Sequence, residues 1–362
     1  MEENKKKKVI IIGSSVAGCS AANFLAEECD VAVYEQKHRQ EVGKKLCSDI
    51  VTKVFLRYAA MLGLNPYSYV ISKLDKAIAV SGSQISEFKT DEFKISRVSF
   101  IEDLISKSEK KGAKFNFNEE FIDFREEKGK FIVEFKDKTD SCDVLIGADG
   151  AVSKVAKKAG LWKDRKLFLA IQAEVPIKKL NIDRGAYYVY VGKEKFGYYS
   201  YIFPSKDKAI IGIMDDPRTA KERYNKFTEI LKIKNTDKDA ALIPYPQIIP
   251  QKKNLFVIGD AGCQIKFSGG GIIPSMMAAE AISDIIIRND KKKLKKLNRM
   301  ILMHRLATKM ILKFKDENFN DFLKVLKDKK FQGLLEKRDE YSKKDYISFI
   351  DVRLLKYLFK IF

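Results

Sequence analysis

Histidine is nearly missing from this chain of 362 residues. His38 and His304 are the only two, and Trp162 is the single tryptophan. A Ser-His-Asp hydrolase or a histidine-rich metal centre would have to be assembled from those two imidazoles, so hydrolysis ranks low and no metal site is expected. Cys19, Cys29, Cys47, Cys142 and Cys263 stand singly, with no CxxC pair. That spacing gives no sign of a zinc cluster or a disulfide framework, and reduced thiols are expected. No apolar stretch approaches the roughly 18 residues a membrane span needs. The head MEENKKKK is charged and runs straight into a strand, so a cytoplasmic protein is expected.

What the chain has in excess is positive charge. Its formal net charge is +20, and from Arg288 to the end 22 Lys and Arg face 10 Asp and Glu, so +12 of the total lies in the tail. Such a charge can attract nucleic acid, an anionic lipid surface or an acidic protein, and it can equally be a solvated helical face. With 45% hydrophobic residues the chain can bury one large core or two modest ones.

The first unit, KVIIIGSSVAGCSAANFLAEECDVAVYEQ, reads as strand, tight turn, helix, strand. Val9 to Ile12 suit a strand buried on both faces, and Phe24 and Leu25 stand at helical spacing. Two further apolar runs, DVLIGADG (143–150) and NLFVIGDAG (254–262), also end in glycine and acid. The stretches 78–96 and 167–216 alternate and are rich in aromatics and turn residues, as antiparallel strands are. The segment 96–115 predicts an amphipathic helix with Val98, Ile101, Leu104 and Ile105 on one face, followed by a strand pair around an EEKGK turn. From 274 onward nearly everything reads as helix. The expected fold is α/β: a Rossmann-type nucleotide-binding domain interleaved with an antiparallel β-sheet domain, plus a C-terminal helical region. The expected boundaries are 1–75, 96–165 and 252–290 for the first, 76–95 and 166–251 for the second, and 291–362 for the basic tail.

In GSSVAG, Gly13 and Gly18 hold the outer positions of a GxGxxG fingerprint and Ser15 the middle one. Gly13 permits the tight turn, Gly18 the close approach of helix to strand, and the helix start, with Ala17, faces a pyrophosphate. Glu35, followed by Gln36, ends the second strand, where a carboxylate can bond ribose hydroxyls. GADG brings Asp149 and Gly150, and GDAG brings Gly259 and Asp260, to the ends of the other two apolar runs. Loops at the carboxyl edge of a parallel sheet gather around a ligand, so three such ends suggest one long cofactor.

This combination resembles the FAD-dependent oxidoreductases of the aromatic hydroxylase superfamily, which use a first fingerprint, a DG motif and a GD motif together. The resemblance implies that Asp260 bonds the ribityl chain of FAD and that Gly269, Gly270, Gly271 and Ile272 lie against the flavin ring. Arg97, in KISRVSF, matches the arginine that opens the helix returning to the FAD domain. Pro274 suits an early helical position, and the positive end of its helix would stabilise negative charge on the reduced ring.

Two more stretches resemble the geranylgeranyl reductase family within that superfamily. VGKKLCSD (42–49) looks like its cysteine-containing segment, and GYYSYIFPSKDKAIIGIM (197–214) like its YxWxFP followed by GxG. With IPYP and GGGI added, the resemblance covers roughly residues 8 to 287. It implies that Tyr199, Tyr201, Phe203 and Pro204 line an isoprenoid cavity and that Cys47 sits near the flavin. Tyr201 stands where the family usually has Trp, Met214 replaces the second Gly of GxG, and Val16 replaces a Pro.

By that resemblance the expected activity is reduction of C=C bonds in geranylgeranyl chains, in archaeal-type membrane lipid biosynthesis, by hydride transfer from reduced FAD. Tyr199 and Tyr201 are candidates to stabilise positive charge developing on the olefin, and Cys47, a tyrosine hydroxyl or a held water could supply the proton. The expected partners are a prenyl lipid or prenyl diphosphate substrate and NAD(P)H or a ferredoxin as electron donor, with no nucleic acid and a monomeric state. LLKYLFKIF and the Lys-interleaved stretch before it suggest peripheral contact with an anionic membrane, against the alternative of an ordinary helical cap. Three rival readings stand beside the reductase: an FAD-dependent aromatic monooxygenase, an inactive flavoprotein that binds a prenyl lipid, and an NAD-dependent dehydrogenase using the first fingerprint alone.

Overall fold

The computed structural model describes residues 6–326 apart from Leu46 and Asn235. LLKYLFKIF therefore lies outside the described residues. A five-stranded parallel sheet runs in the order Leu255–Val257, Val144–Gly147, Lys8–Ile12, Asp30–Glu35, Lys114–Phe117. Its central strand is buried on both faces, as its unbroken β-branched run requires. Val9 and Ile11 point to one side, into a core shared with helices Val16–Leu25, Arg97–Lys110 and Ile272–Arg288. Ile10 and Ile12 point to the other, against Phe131, Val133 and Phe135 of a three-stranded antiparallel sheet. Two-residue periodicity sorts the two cores.

The strand order puts the three glycine-acid ends next to each other. Ile12 pairs with Gly147, and Gly147 pairs with Val257, so residues 13, 148 and 258 leave the same sheet edge side by side. Segments far apart in the chain thus become a single corner.

The second sheet has eight strands in the order Lys238–Pro244, Leu167–Pro176, Lys208–Asp215, Gly197–Pro204, Ala186–Gly192, Val70–Ser81, Gln84–Ile95, Ile50–Thr52. Every pairing is antiparallel except Ala186–Gly192 with Val70–Ser81, which the long excursion through the parallel sheet between them allows. One face of this sheet packs Ile171, Ala173, Ile202 and Ile211 on Tyr224 and Phe227 of helix Ala220–Ile230. The other carries Tyr199, Tyr201 and Phe203 in a ladder with ring centroids 5.6 and 4.9 Å apart.

The helix expected over 96–115 spans Arg97–Lys110, and Phe100, Ile101, Leu104 and Ile105 are its buried face. Val98, expected on that face, is 40% exposed; the buried stripe runs through Arg97, Phe100, Ile101, Leu104, Ile105 and Ser108, and Val98 stands at its edge. The EEKGK turn joins Phe121–Glu127 to Lys130–Phe135 as expected. Two helices, Lys292–Lys313 and Asp316–Leu326, then carry the chain from the parallel sheet to the antiparallel one, where the last packs on strands Val70–Ser81, Gln84–Ile95 and Ala186–Gly192. Among the described residues no helix is long and apolar enough to cross a membrane.

Candidate active site

The first corner is shaped by steric need. Gly13 has φ +100, and a Cβ there would meet the Ala148 carbonyl oxygen at 2.5 Å; at Gly18 it would stand 1.9 Å from the Gly13 oxygen. Only glycine lets the turn close and the helix sit down on the strand. Glu35 is held ready beside this turn: its Oε2 accepts from the Ser14 N–H at 2.9 Å and the Ser14 hydroxyl at 3.1 Å, and its Oε1 from the Lys37 N–H at 3.0 Å.

At the second corner the Asp149 carboxylate accepts from the Ser153 hydroxyl at 2.6 Å and the Val155 N–H at 3.1 Å, so it caps the short helix Lys154–Lys158. Burial pushes its pKa up, against those donors. Asp260, at the third corner, differs. No hydrogen bond from a described side chain or backbone group reaches its carboxylate, whose Oδ1 lies 2.9 Å from where a Gly271 Cβ would stand. Burial raises its pKa, and the charges of Lys45 and Arg97 partly offset this.

Arg97 opens its helix with its guanidinium turned inward. Nε donates to Asp49 Oδ1 at 2.6 Å and Nη2 to the Lys45 carbonyl at 2.5 Å, which fixes the loop carrying Cys47. Burial alone would lower the Arg97 pKa, but Asp49 and then Cys47 outweigh it and the net shift is upward. The Cys47 thiol is pushed up by burial and by Asp49, with Arg97 opposing, so it carries its proton at neutral pH. Tyr199 donates to the Ser268 carbonyl at 2.7 Å, and the buried Tyr201 donates to Gln172 Oε1 at 2.8 Å. Burial raises the pKa of both phenols, so both rings stay neutral.

One cavity of about 1710 Å³ joins all of these groups. Gly13, Ser15, Ala17, Glu35, Gln36, Cys47, Arg97, Asp149, Gly150, Asp260, Gly269, Gly270, Gly271 and Ile272 line its nucleotide-corner half. Tyr199, Tyr201 and Phe203 line the half along the antiparallel sheet, together with Met214, whose sulfur lies 3.0 Å from where a Gly269 Cβ would stand. Three anticipated residues are off the wall. Gly18 and Gly259 act through backbone packing, the latter at φ +63 with Ala17 and Ser275 crowding any Cβ, and Pro204 is buried at the strand end beyond the wall.

The fit to FAD rests on this donor set: a glycine turn with no room for a Cβ, a carboxylate beside it at the second strand, and an unpartnered Asp260 facing glycines at a helix start. A family model described as an FAD binding domain matches residues 6–239. The chain belongs to that family. It is an FAD-dependent oxidoreductase. It is 27% identical, over 90% of both chains, to digeranylgeranylglycerophospholipid reductase of Methanosarcina acetivorans. In fold it is similar to a geranylgeranyl bacteriochlorophyll reductase-like protein of Thermoplasma acidophilum, with TM-score 0.79, 18% identity and coverage of 99% and 100% of the two chains. A flavin-dependent halogenase shares the fold at TM-score 0.65 and 17% identity, over 96% of this chain and 70% of the other.

Sequence reasoning missed one wall of the FAD-binding protein's cavity entirely. Met303, His304, Leu306, Ala307, Met310 and Ile311 reach it from helix Lys292–Lys313, and Phe314, Phe319, Phe322 and Leu323 continue that wall into helix Asp316–Leu326. A signal was present: that helix buries Leu297, Met300, Ile301, His304 and Thr308, yet has further apolar residues at 303, 307 and 310, more than one packing face needs.

Proposed function

We propose that this flavoenzyme saturates C=C bonds in isoprenoid chains of a membrane-lipid precursor. The observation that carries the reading is the continuity of the cavity, which leads from the three glycine-acid corners to a compartment walled by tyrosines, phenylalanines and methionines. The similarity to a digeranylgeranylglycerophospholipid reductase supports it.

In this reading Gly13, Ser15, Ala17, Gly18, Glu35 and Gln36 hold the adenosine end of FAD, Asp149 and Gly150 shape the middle, and Asp260 accepts from the ribityl hydroxyls. Gly259 permits the turn that brings Asp260 in, and Gly269 to Ile272 border the ring. Bound FAD, once reduced, supplies the hydride. The first N–H groups of helix Ile272–Arg288 and the Arg97 guanidinium offer positive potential where negative charge accumulates. An isolated olefin is a weak electrophile, so its more substituted carbon must gain positive character. Tyr199, Tyr201 and Phe203 present neutral ring faces to it in a water-poor compartment, while Pro204 ends their strand. The two tyrosine hydroxyl protons are engaged by Ser268 and Gln172, so the protonated Cys47 thiol, directly or through a held water, is the proton donor in this proposal.

Residues 1–75, 96–165 and 252–290 form the FAD-binding domain in this proposal, 76–95 and 166–251 the substrate sheet, and 291–362 the basic tail; strand Val70–Ser81 straddles the first boundary. Electrons enter from NAD(P)H or from an acidic carrier of the ferredoxin kind, to which a net charge of +20 is complementary. The test is mass spectrometry of geranylgeranyl lipids after anaerobic incubation with chemically reduced protein. A gain of two mass units per olefin is expected. Unchanged lipids, with oxygen uptake stimulated by an aromatic compound instead, would replace the reductase with a monooxygenase.

A further inference from the structure

Helix Lys292–Lys313 contains eight Lys and Arg and no Asp or Glu. Lys293 pairs with Glu280 and Asp284 at 2.7 and 2.8 Å, Lys292 pairs with Asp290, and Arg305 is half-buried. The exposed positions 295, 299, 302, 306, 309 and 313 fall four and three apart, so they form one stripe along the helix. Read along its length, that stripe is Lys295, Arg299, Leu302, Leu306, Lys309, Lys313. Two leucines, 42% and 46% exposed, sit between two pairs of cations, with Leu312 exposed beside them.

One residue connects this stripe to the chemistry. Among the described residues, only Val152 and Leu306 of the exposed large apolar side chains also line the cavity. Val152 stands at the nucleotide corner, next to Gly150. Leu306 stands on the aromatic side, where Met303, Ala307 and Met310 of the same helix form the wall. The apolar compartment therefore reaches the surface in the middle of the basic, leucine-bearing stripe.

We infer that this stripe docks on an anionic lipid surface and that Leu306 marks the mouth through which a chain passes from that surface into the cavity. The inference rests on the reductase reading for what passes through the mouth, but the docking itself does not need turnover. Leucines flanked by cations on one helical face are the pattern of a helix lying in an interface, where leucines enter the acyl boundary and cations meet the head groups. An acidic protein would match the cations and leave the leucines and the mouth between them unexplained. The chain's own residues 327–362, with ten Lys and Arg against six Asp and Glu, carry charge of the same sign as the stripe.

The experiment uses the full chain with FAD bound and two kinds of vesicle, phosphatidylcholine alone and phosphatidylcholine mixed with phosphatidylglycerol. Co-sedimentation with the mixed vesicles, weakened by salt and absent with phosphatidylcholine alone, is expected. Arg299→Gln with Lys309→Gln should lower vesicle affinity about 30-fold, from about 1 kcal/mol per cation near an anionic surface. Leu302→Ser should lower it further at unchanged charge. Flavin absorbance of these variants and their turnover of detergent-dispersed substrate should match the parent, since none of the three residues lines the cavity. Equal binding to both vesicle types, no binding, or variants that bind as the parent does would overturn the inference. Lipids left unreduced by a protein that still sediments in this pattern would count against the reductase reading and not against the docking.

Discussion

Removing the Asp260 carboxylate should make the empty protein more stable and the flavoprotein weaker. The carboxylate receives no hydrogen bond from a described residue, and burial raises its pKa while Lys45 and Arg97 pull it down less strongly. A carboxyl whose folded pKa is raised contributes stability that is present below its unfolded pKa and lost as pH rises through the folded value. In the FAD-free protein ionisation of this carboxyl therefore costs stability, and Asp260→Asn, which cannot ionise and keeps nearly the same volume, should raise the Tm, most on the alkaline side where the carboxyl would be charged. The same carboxylate, accepting from a hydroxyl of bound FAD, makes a charge-assisted hydrogen bond of about 1.5–3 kcal/mol. Deleting it in Asp260→Ala should raise the Kd for FAD by about 10- to 150-fold, with Asn falling between Ala and the parent. Quenching of flavin fluorescence on titrating the FAD-free protein reads the affinity, and thermal unfolding of the FAD-free protein reads the stability. The reasoning is refuted by an Asp260→Ala protein that binds FAD as the parent does, or by an Asp260→Asn protein that melts earlier without FAD. Either result would mean that the Asp260 carboxylate serves the fold and not the cofactor.

Two further outcomes bear on the reaction and on the substrate. Because burial and then Asp49 raise the Cys47 thiol, a proton supplied from it is available throughout neutral pH, so olefin reduction should fall only at alkaline pH, above the ordinary thiol range. Cys47→Ser should cut the rate about 100-fold or more and remove that alkaline limb while FAD content stays constant; an unchanged pH profile would assign the proton elsewhere. Phe319 is buried and lines the cavity, with its ring 5.2 Å from Phe314. Phe319→Ala should cost about 3–5 kcal/mol of local stability and shift the product distribution toward longer prenyl chains. An unaltered chain-length preference would mean that the substrate stops short of this wall.

The parallel sheet was legible because its signal is local. The β-branched run Val9 to Ile12 suits a strand buried on both faces, and each glycine-acid pair stands just past such an apolar run. The aromatic strand was legible for the same reason: alternation puts Tyr199, Tyr201 and Phe203 on one face in any sheet. Individual bonds were not. Nothing local distinguishes Asp149, which caps its own helix, from Asp260, which receives no such cap, although both stand in glycine-acid pairs. Val98 likewise fits an apolar stripe on paper, and it stands at the edge of the face the helix buries, where it is left 40% exposed.

By itself the sequence determined the strand ends, the glycine turns and the residues able to grip a long nucleotide, because each of these follows from backbone sterics and side-chain period within a few residues. Tertiary structure alone decided that three such ends share an edge, that the cavity continues along the second sheet, and that a helix some 300 residues from the first glycine turn completes its wall. Those facts depend on strand order and on which of a helix's apolar faces finds a partner, and both are settled by long-range packing.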